Sequence, residues 1–418
     1  MLKSLSAISF FPTFASHKCT KYIQTTKSVH MKKISLLFIG LLFSTLTFSQ
    51  LNMEWDEAIG GEKNEVANSA IQTPDGGYII VGSTDSEGSG KLDGYIMKVD
   101  ARGNLDWEET YGGKKDDEFY AITEVNGQYA IGGYTASKGK GKKDFWLMLV
   151  NDKGQKLWEH FYGGPKDDEA FDIITSFDNN LVLAGYTKSK GAGGRDFWVI
   201  KVKPNGVGKE QGKVIWKRNV GGSGTDFAMK VKQNPVDSFF YVIGHSNSSG
   251  AGGMDLYFTR LSPDRGSARG KKYLGKRNFE HGNDFCFTEE NGYFLVGGTM
   301  SDSKGYFDGW MVKIESEYYK EWEKSYGGMK NEEFMSVFID GDDYVLGGFT
   351  LSSGEGKSDA WVIKVNNKGI LQRERTFGEE GDDVVTRMIQ TNDGGYLLLG
   401  KTNSKGSGAY DAWVLKIK

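Results

Sequence analysis

The sequence predicts an all-β fold built from seven copies of one unit, and two observations carry this prediction. An Asp followed two residues later by an aromatic residue recurs at intervals of 51 to 59 residues, at Asp93, Asp144, Asp196, Asp255, Asp308, Asp359 and Asp411. A second block, Trp-x-x-x-x-Gly-Gly, begins at Trp55, Trp107, Trp158, Trp216 and Trp322. Seven such units account for nearly all of the chain after the first 49 residues, so the sequence predicts one domain over residues 50–418.

Each unit contains four short runs with the character of β-strands. In the unit that begins at Asp116 they are EFYAITEV, GQYAIGGYT, DFWLMLV and KLWEHFYGG, separated by Gly, Asn, Asp and Lys. Alternating side chains, β-branched and aromatic residues, and the turn residues between the runs favour strands. Four strands in a repeat of this length are typical of a blade, so we predict a seven-bladed β-propeller.

The two ends of the repeat predict how the ring closes. The first run, at Trp55, corresponds to the fourth strand of the other units, and the chain stops at Lys418 after a third strand. We therefore predict that the N-terminal strand completes the last blade. This 3+1 closure leaves no open sheet edge in the ring.

Residues 1–49 lie outside the repeat and contain six Lys and no Asp or Glu. From Met31, two lysines, an apolar run from Ile34 to Phe48 and small residues before Gln50 give the layout of a secretory signal peptide. The run is shorter than the roughly 20 residues that span a bilayer. We predict that residues 1–30 are an upstream over-extension of the reading frame and that residues 31–49 are a signal peptide. The protein is then secreted or periplasmic, with no transmembrane segment after cleavage; an uncleaved N-terminal anchor is the alternative.

The composition of residues 50–418 excludes some classes of protein. Without the leader, Lys plus Arg falls from 52 to 46 while Asp plus Glu stays at 55, which gives a net charge of about −9. Such a chain lacks the basic surface that nucleic-acid binding requires. Cys286 is the one cysteine left, so we predict no internal disulfide and interpret this residue as a small buried hydrophobe. We expect a monomer.

The residues that recur in every unit are interpreted as scaffold. All ten tryptophans fall at two repeat positions, where they would fill the seams between blades; a platform for sugar rings is the alternative. The loop between the second and third strands, for example TKSKGAGGRD, ends at the recurring Asp, which we expect to accept backbone N–H bonds. A strand rather than a helix follows these glycines, which argues against a phosphate site.

An acidic turn follows most Gly-Gly pairs, with Asp116-Asp117 and Asp167-Asp168 as clear examples. Paired carboxylates can hold Ca²⁺, which takes six to eight oxygen ligands. Lysines in the neighbouring loops offer exposed ion pairs as another explanation. We predict no cofactor, with Ca²⁺ at these four aspartates as the alternative.

Two of the three histidines after the leader lie in units that depart from the repeat. His245 replaces a Tyr or Phe at the end of a second strand, and His281 lies in the unit whose Gly-Gly pair has become Gly275-Lys276. Because His is the commonest general base near neutral pH, one hypothesis is a catalytic pair that converges with a Tyr or Arg. Packing or surface positions are the other hypothesis.

The units resemble the Gly-rich β-propeller repeats of proteins exported by Bacteroidetes-type bacteria, with the pattern GGY-x-x-x-G-x-T followed by D-x-W-x-x-K-x-D-x-x-G-x-x-x-W. The run VDARGNLDW is also similar to the tryptophan-docking repeat of quinoprotein dehydrogenases and related scaffold propellers. This resemblance implies a fold that hosts binding proteins, scaffolds, lyases and dehydrogenases. The quinone ligands and metal site of a dehydrogenase match no residues of this sequence. We therefore predict a non-catalytic binding or scaffold protein with a protein or glycan partner; a polysaccharide lyase is the alternative.

Overall fold

Twenty-eight strands form seven four-stranded antiparallel sheets in the part of the chain that the structure describes, residues 51–205 and 210–418 of a computed structural model. The sheets are the blades of the predicted propeller: blade 1 is β2–β5, blade 2 is β6–β9, blade 3 is β10–β13, blade 4 is β14–β17, blade 5 is β18–β21, blade 6 is β22–β25, and blade 7 is β26–β28 with β1. The predicted leader and upstream segment, residues 1–49, lie outside the described residues. Within the described ranges, no helix is long and apolar enough to cross a bilayer.

The strands occupy four positions in each blade. The first strands are β2 (Glu65–Gln72), β6 (Asp117–Val125), β10 (Asp168–Thr175), β14 (Asp226–Gln233), β18 (Glu280–Phe287), β22 (Glu332–Asp340) and β26 (Asp383–Gln390). The second strands are β3 (Tyr78–Thr84), β7 (Gln128–Thr135), β11 (Leu181–Thr187), β15 (Phe240–Ser246), β19 (Tyr293–Thr299), β23 (Asp343–Thr350) and β27 (Tyr396–Thr402). The third strands are β4 (Asp93–Val99), β8 (Asp144–Val150), β12 (Asp196–Val202), β16 (Asp255–Leu261), β20 (Asp308–Ile314), β24 (Asp359–Val365) and β28 (Asp411–Ile417). The outer strands are β5 (Leu105–Tyr111), β9 (Lys156–Tyr162), β13 (Val214–Val220), β17 (Ala268–Leu274), β21 (Lys320–Tyr326), β25 (Leu371–Phe377) and β1 (Met53–Ile59).

Ring closure follows the predicted 3+1 arrangement. Strand β1 pairs antiparallel with β28, from Met53 opposite Ile417 to Ile59 opposite Ala412. The backbone N–H of Asn52 donates to the Lys418 carbonyl at 2.8 Å, and the Lys418 N–H returns a bond of 2.9 Å. The prediction of a 3+1 closure by the N-terminal strand is confirmed.

The first strand of every blade lines a central channel. Each of these strands carries a β-bulge at its fourth residue, where the pairing with the second strand slips by one. The bulge residues all line the channel's cavity: Asn68, Tyr120, Phe171, Met229, Asn283, Met335 and Thr386. The bulge therefore turns one unpaired side chain per blade into the channel.

The recurring Asp fixes the Gly-rich loop, as the sequence predicts. In blade 2, Asp144 Oδ2 accepts the backbone N–H groups of Lys140 and Gly141 at 2.8 and 2.7 Å. Its Oδ1 lies against Gly163, the first glycine of the Gly-Gly pair, where an added Cβ would come within 1.9 Å of that oxygen. The first glycine of the pair is thus required by the close approach of the recurring carboxylate, and the second by Ser189, whose Cβ would lie 2.5 Å from an added Cβ at Gly164.

The tryptophans are packing residues, as interpreted from the sequence. None of the ten is exposed, and Phe119 and Trp146 lie 4.5 Å apart between ring centroids. On the outer strands, Trp107 covers Gly154 of the next blade, which has a φ of +74°, and Tyr111 Oη donates to the Gly154 carbonyl at 3.0 Å. An exposed sugar-stacking platform of tryptophans is therefore wrong.

Cys286 is buried, and burial raises the pKa of its thiol to about 12. The thiol is therefore uncharged at neutral pH, which confirms its interpretation as a small buried hydrophobe.

Candidate functional site

The two histidines that the sequence singles out come together where the channel opens on the Gly-rich face. We give that name to the face that carries the second-to-third-strand loops and the connections between blades. His245 of blade 4 and His281 of blade 5 lie 6.0 Å apart between ring centroids. His281 Nε2 bonds to the carboxylate of Glu333 in blade 6, and its ring packs 5.2 Å from that of Phe307. Three neighbouring blades therefore share one cluster of ionisable and aromatic side chains.

The surroundings of His245 keep it neutral. Its ring lies 4.9 Å from that of Phe227, and its buried Nδ1 has no hydrogen-bond partner among the described residues. Burial lowers the pKa of His245 to about 3, with a smaller contribution from His281 in the same direction. Burial raises the pKa of Glu333, but the charge and hydrogen bond of His281 outweigh it, so the pKa lies below the ordinary value.

This geometry meets only part of what a lyase pair requires. The histidines converge, yet in the described ranges no hydrogen bond joins either imidazole to a tyrosine or an arginine. A group with a pKa near 3 is also a weak general base at neutral pH. The cluster therefore consists of one imidazole–carboxylate contact, between His281 and Glu333, surrounded by aromatic rings.

The charged groups elsewhere around the channel mouth are engaged within the protein. The Arg195 guanidinium lies 5.0 Å from the ring centroids of both Tyr186 and Phe227. Lys143 Nζ is 3.0 Å from a carboxylate oxygen of Glu169 and also contacts an aromatic ring. The mouth therefore offers stacked and paired cations rather than free ones.

The four aspartates named as alternative Ca²⁺ ligands separate into two kinds. Asp117 and Asp168 are the first residues of buried strands, and each accepts the N–H of the second glycine of a Gly-Gly pair at 2.8 Å. Asp116 and Asp167 are half-buried, and Asp167 pairs with Lys188 at 2.7 Å. Over residues 51–205 and 210–418, no group of three or more His, Cys, Asp or Glu side chains is arranged to hold a metal ion. The carboxylates are used here to bind the backbone and a lysine.

Further into the channel lies a charged network that sequence reasoning missed. The channel cavity has a volume of about 450 Å³. Asp172 of blade 3 accepts bonds from Lys230 Nζ at 3.1 Å, from Arg387 Nη1 at 3.2 Å and from the backbone N–H of Val231 at 3.0 Å. Arg387 belongs to blade 7, so this ion pair crosses the channel.

The network holds the carboxylate of Asp172 ionised in the wall of the channel. Burial raises the pKa of Asp172, but Lys230 and Arg387 outweigh it, so the pKa lies below the ordinary value. A second pair joins Lys232 to Asp284 at 2.8 Å. The signal in the sequence is the residue after the bulge, which is charged in blades 3, 4, 5 and 7 and is Ser or Ala in blades 1, 2 and 6.

Three exposed apolar side chains lie on the Gly-rich face beside the histidine cluster. Phe279, Tyr306 and Met329 are 49%, 70% and 78% exposed, and we call them the blade-5 patch. Tyr306 lies in one loop, residues 300–307, and the other two adjoin it: the first N–H of the loop donates to the Phe279 carbonyl at 2.8 Å, and Gly305 approaches the backbone of Met329. The same loop ends at Phe307, which packs on His281. The patch and the cluster therefore form one continuous region.

Comparison with known proteins identifies the fold and no family. The sequence matches no protein-family model and no curated protein. The WD40 β-propeller domain of Doa1 is 8% identical, with 89% of this chain and 97% of that chain covered and a TM-score of 0.50. BBS1N, solved in complex with ARL6DN, is 12% identical, with 87% and 95% covered and a TM-score of 0.50. At these identities the likeness shows the fold alone: the chain is a seven-bladed β-propeller.

Proposed function

We propose that this protein is an exported, non-catalytic β-propeller that binds a protein partner through the blade-5 patch. One observation carries the proposal: the patch has large apolar side chains at three positions where no other blade has one. The position of Phe279 is polar in the other units, where it is Asn64, Asp116, Asp167, Thr225, Asn331 and Asp382. The residues equivalent to Tyr306 in the other units are Lys91, Lys142, Gly194, Gly253, Lys357 and Ala409. Those equivalent to Met329 are Glu62, Lys114, Pro165, Ser223, Arg277 and Glu380.

Six blades close into the ring without large apolar side chains at these positions, so the fold does not require them. Exposed Phe, Tyr and Met side chains in one region mark protein-binding surfaces, because their apolar area is better removed from water. A glycan site would more often stack sugar rings on exposed tryptophans among polar groups, and none of the ten tryptophans, all of which lie in the described ranges, is exposed. The patch therefore favours a protein partner over a glycan.

Replacing the patch with residues from other units is expected to remove partner binding without harm to the fold. The variant is Phe279→Thr, Tyr306→Gly, Met329→Ser, which leaves the net charge unchanged. The immobilised chain is exposed to the exported proteins of its source organism, and captured proteins are quantified by mass spectrometry. We expect a specific partner whose capture falls at least tenfold, or about 1.4 kcal/mol of binding free energy, with an unchanged melting temperature.

A matched control uses an apolar residue of the opposite face. Phe177 is 60% exposed in a first-to-second-strand turn, and Phe177→Asn installs the residue that blade 7 carries at Asn392. This control should capture the partner as the wild type does. Capture that survives the triple variant, or that is lost in the control instead, would contradict the proposal.

Export is supported by the basic start, the apolar run and the small residues of residues 31–49. We expect the protein purified from its natural host to lie outside the cytoplasm and to begin at Gln50, as determined by mass spectrometry of its N-terminal peptide. A protein that keeps residues 31–49 would indicate the uncleaved anchor. Recovery from the cytoplasm with residues 1–30 attached would overturn this part of the proposal.

A further inference from the structure

Most blades share an arrangement in which a carboxylate of the outer strand accepts a bond from the aromatic residue two places after the recurring Asp. Trp146 Nε1 donates to Glu159 at 3.1 Å, and Trp361 Nε1 donates to Glu374 at 2.7 Å. In blade 7, Trp413 Nε1 donates to Asp56 at 3.1 Å. In blade 1 the tyrosine that replaces the tryptophan bonds to a glutamate in the same way.

A lysine of the Gly-rich loop completes this arrangement in two blades. In blade 2, Lys138 Nζ lies 2.9 Å from Glu159, and in blade 7 Lys405 bonds to Asp56. The carboxylate thus binds an indole N–H on one side and an ammonium on the other. In these two blades, the indole N–H and the ammonium group therefore share one carboxylate as their acceptor.

Blade 3 keeps both donors and has lost the acceptor. Trp198 holds the indole position and Lys190 holds the loop position, but the residue opposite Ile200, where blade 2 has Glu159 opposite Met148, is Lys217. A lysine cannot accept the indole hydrogen. Trp198 is 4% exposed, and its buried Nε1 has no hydrogen-bond partner among the residues that the structure describes.

A cavity of about 380 Å³ lies beside this indole, at the seam of blades 2 and 3. Its wall includes Trp198, Lys140, Lys190, Lys217 and the rings of Phe161 and Tyr162. None of the three ammonium groups forms an ion pair within the described ranges. The one carboxylate in the wall, Asp144, already accepts two backbone N–H groups of its loop.

We propose that this cavity, the seam pocket, binds a small organic acid whose carboxylate takes the place of the missing side chain. The carboxylate would accept the Trp198 indole hydrogen and pair with Lys190 and Lys217, as Glu159 pairs with Trp146 and Lys138. The body of the acid would lie against Phe161 and Tyr162. A cavity of this volume suits a ligand of about ten non-hydrogen atoms, such as a sugar acid or an aromatic acid.

The indole N–H signal of Trp198 in a two-dimensional ¹⁵N NMR spectrum reports directly on this bond. Glucuronate and benzoate serve as probes, with glucose and benzamide as their uncharged counterparts and the signal assigned with Trp198→Phe. We expect at least one acid to move this signal saturably, while the uncharged counterparts leave it in place. If neither acid shifts the signal at 50 mM, or if sulfate shifts it equally, the assignment of the seam pocket to carboxylates is overturned.

The variant Lys217→Glu rebuilds the arrangement of blade 2 inside blade 3. Without any ligand, its Trp198 signal should move in the direction that the acid causes in the wild type, and its affinity for the acid should fall at least tenfold. Lys153→Glu makes the same change of charge at an exposed turn residue outside the seam pocket, and it should bind the acid as the wild type does. Equal losses in the two variants would show that overall charge rather than the site governs binding, and would refute the proposal.

Discussion

Deletion of residues 51–60 is expected to open the ring and to make the chain aggregate. The deletion removes β1 and leaves β28, Asp411–Ile417, with an unpaired edge in the last blade. With about 1 kcal/mol for each of the roughly six lost ladder bonds, the free energy of unfolding falls by about 6 kcal/mol. An unpaired edge strand also recruits other chains. Size-exclusion chromatography with light scattering and thermal melting would measure both effects.

A synthetic peptide of residues 51–60 provides the control for this deletion. Added in excess, it should pair with β28, restore the monomer and raise the melting temperature, because the hydrogen-bonding edge and the site of buried Leu51 are still present. A peptide of the same composition in scrambled order should do neither. A truncated chain that stays monomeric with unchanged melting would disprove the role of β1 in closure.

Asp172→Ala is expected to lower the free energy of unfolding by about 3–5 kcal/mol. The substitution leaves Lys230 and Arg387 without their shared carboxylate inside the channel, and the backbone N–H of Val231 loses its acceptor. Desolvated cations without a counter-charge are far more costly than an apolar replacement of the whole group. Urea unfolding followed by circular dichroism would measure the loss.

The triple variant Asp172→Ala, Lys230→Met, Arg387→Met should recover most of the lost stability, because no unpaired charge remains. The pKa of Asp172 is lowered in the folded protein, so its ionic contribution is fully present above the unfolded pKa of about 3.9 and is lost as the pH falls through the folded pKa. The gap between the wild type and Asp172→Ala should therefore narrow below about pH 4. A single variant as stable as the wild type would show that the network does not stabilise the fold.

The repeat made the fold predictable, because each blade buries the same residue types for the same reason. The recurring Asp satisfies one geometry seven times, the Gly-Gly pair and each of the two tryptophan positions do so in five units, and their spacing revealed it. The bulges were missed because they need no special residue: Asn, Tyr, Phe, Met and Thr all occupy the bulge position. A bulge is defined by which backbone groups pair across strands. The alternation of side chains along the sequence does not reveal that one residue is unpaired.

The candidate sites were predictable only in part. The departure of His245 and His281 from the repeat located the cluster at the channel mouth, but their partner Glu333 occupies a position where Glu118 and Glu169 make it look ordinary. The ion pair between Asp172 and Arg387 joins residues 215 positions apart, and only the closed ring brings them together. The sequence did not single out Lys217, because a Lys in place of a Glu on an outer strand resembles ordinary surface variation.

The seven inner-strand bulges have a consequence for how this protein can evolve. Each bulge residue contributes a side chain to the channel and is skipped in the pairing of the first strand with the second, so its mutation changes the lining while the pairing on either side keeps its register. Met229 and Asn283 occupy the same place in adjacent blades and differ fully in chemistry, yet both strands keep the same register. The lining of the channel can therefore change at seven positions without a change of register, and positions that touch, such as Tyr120 with Phe171 and Asn283 with Met335, must change together.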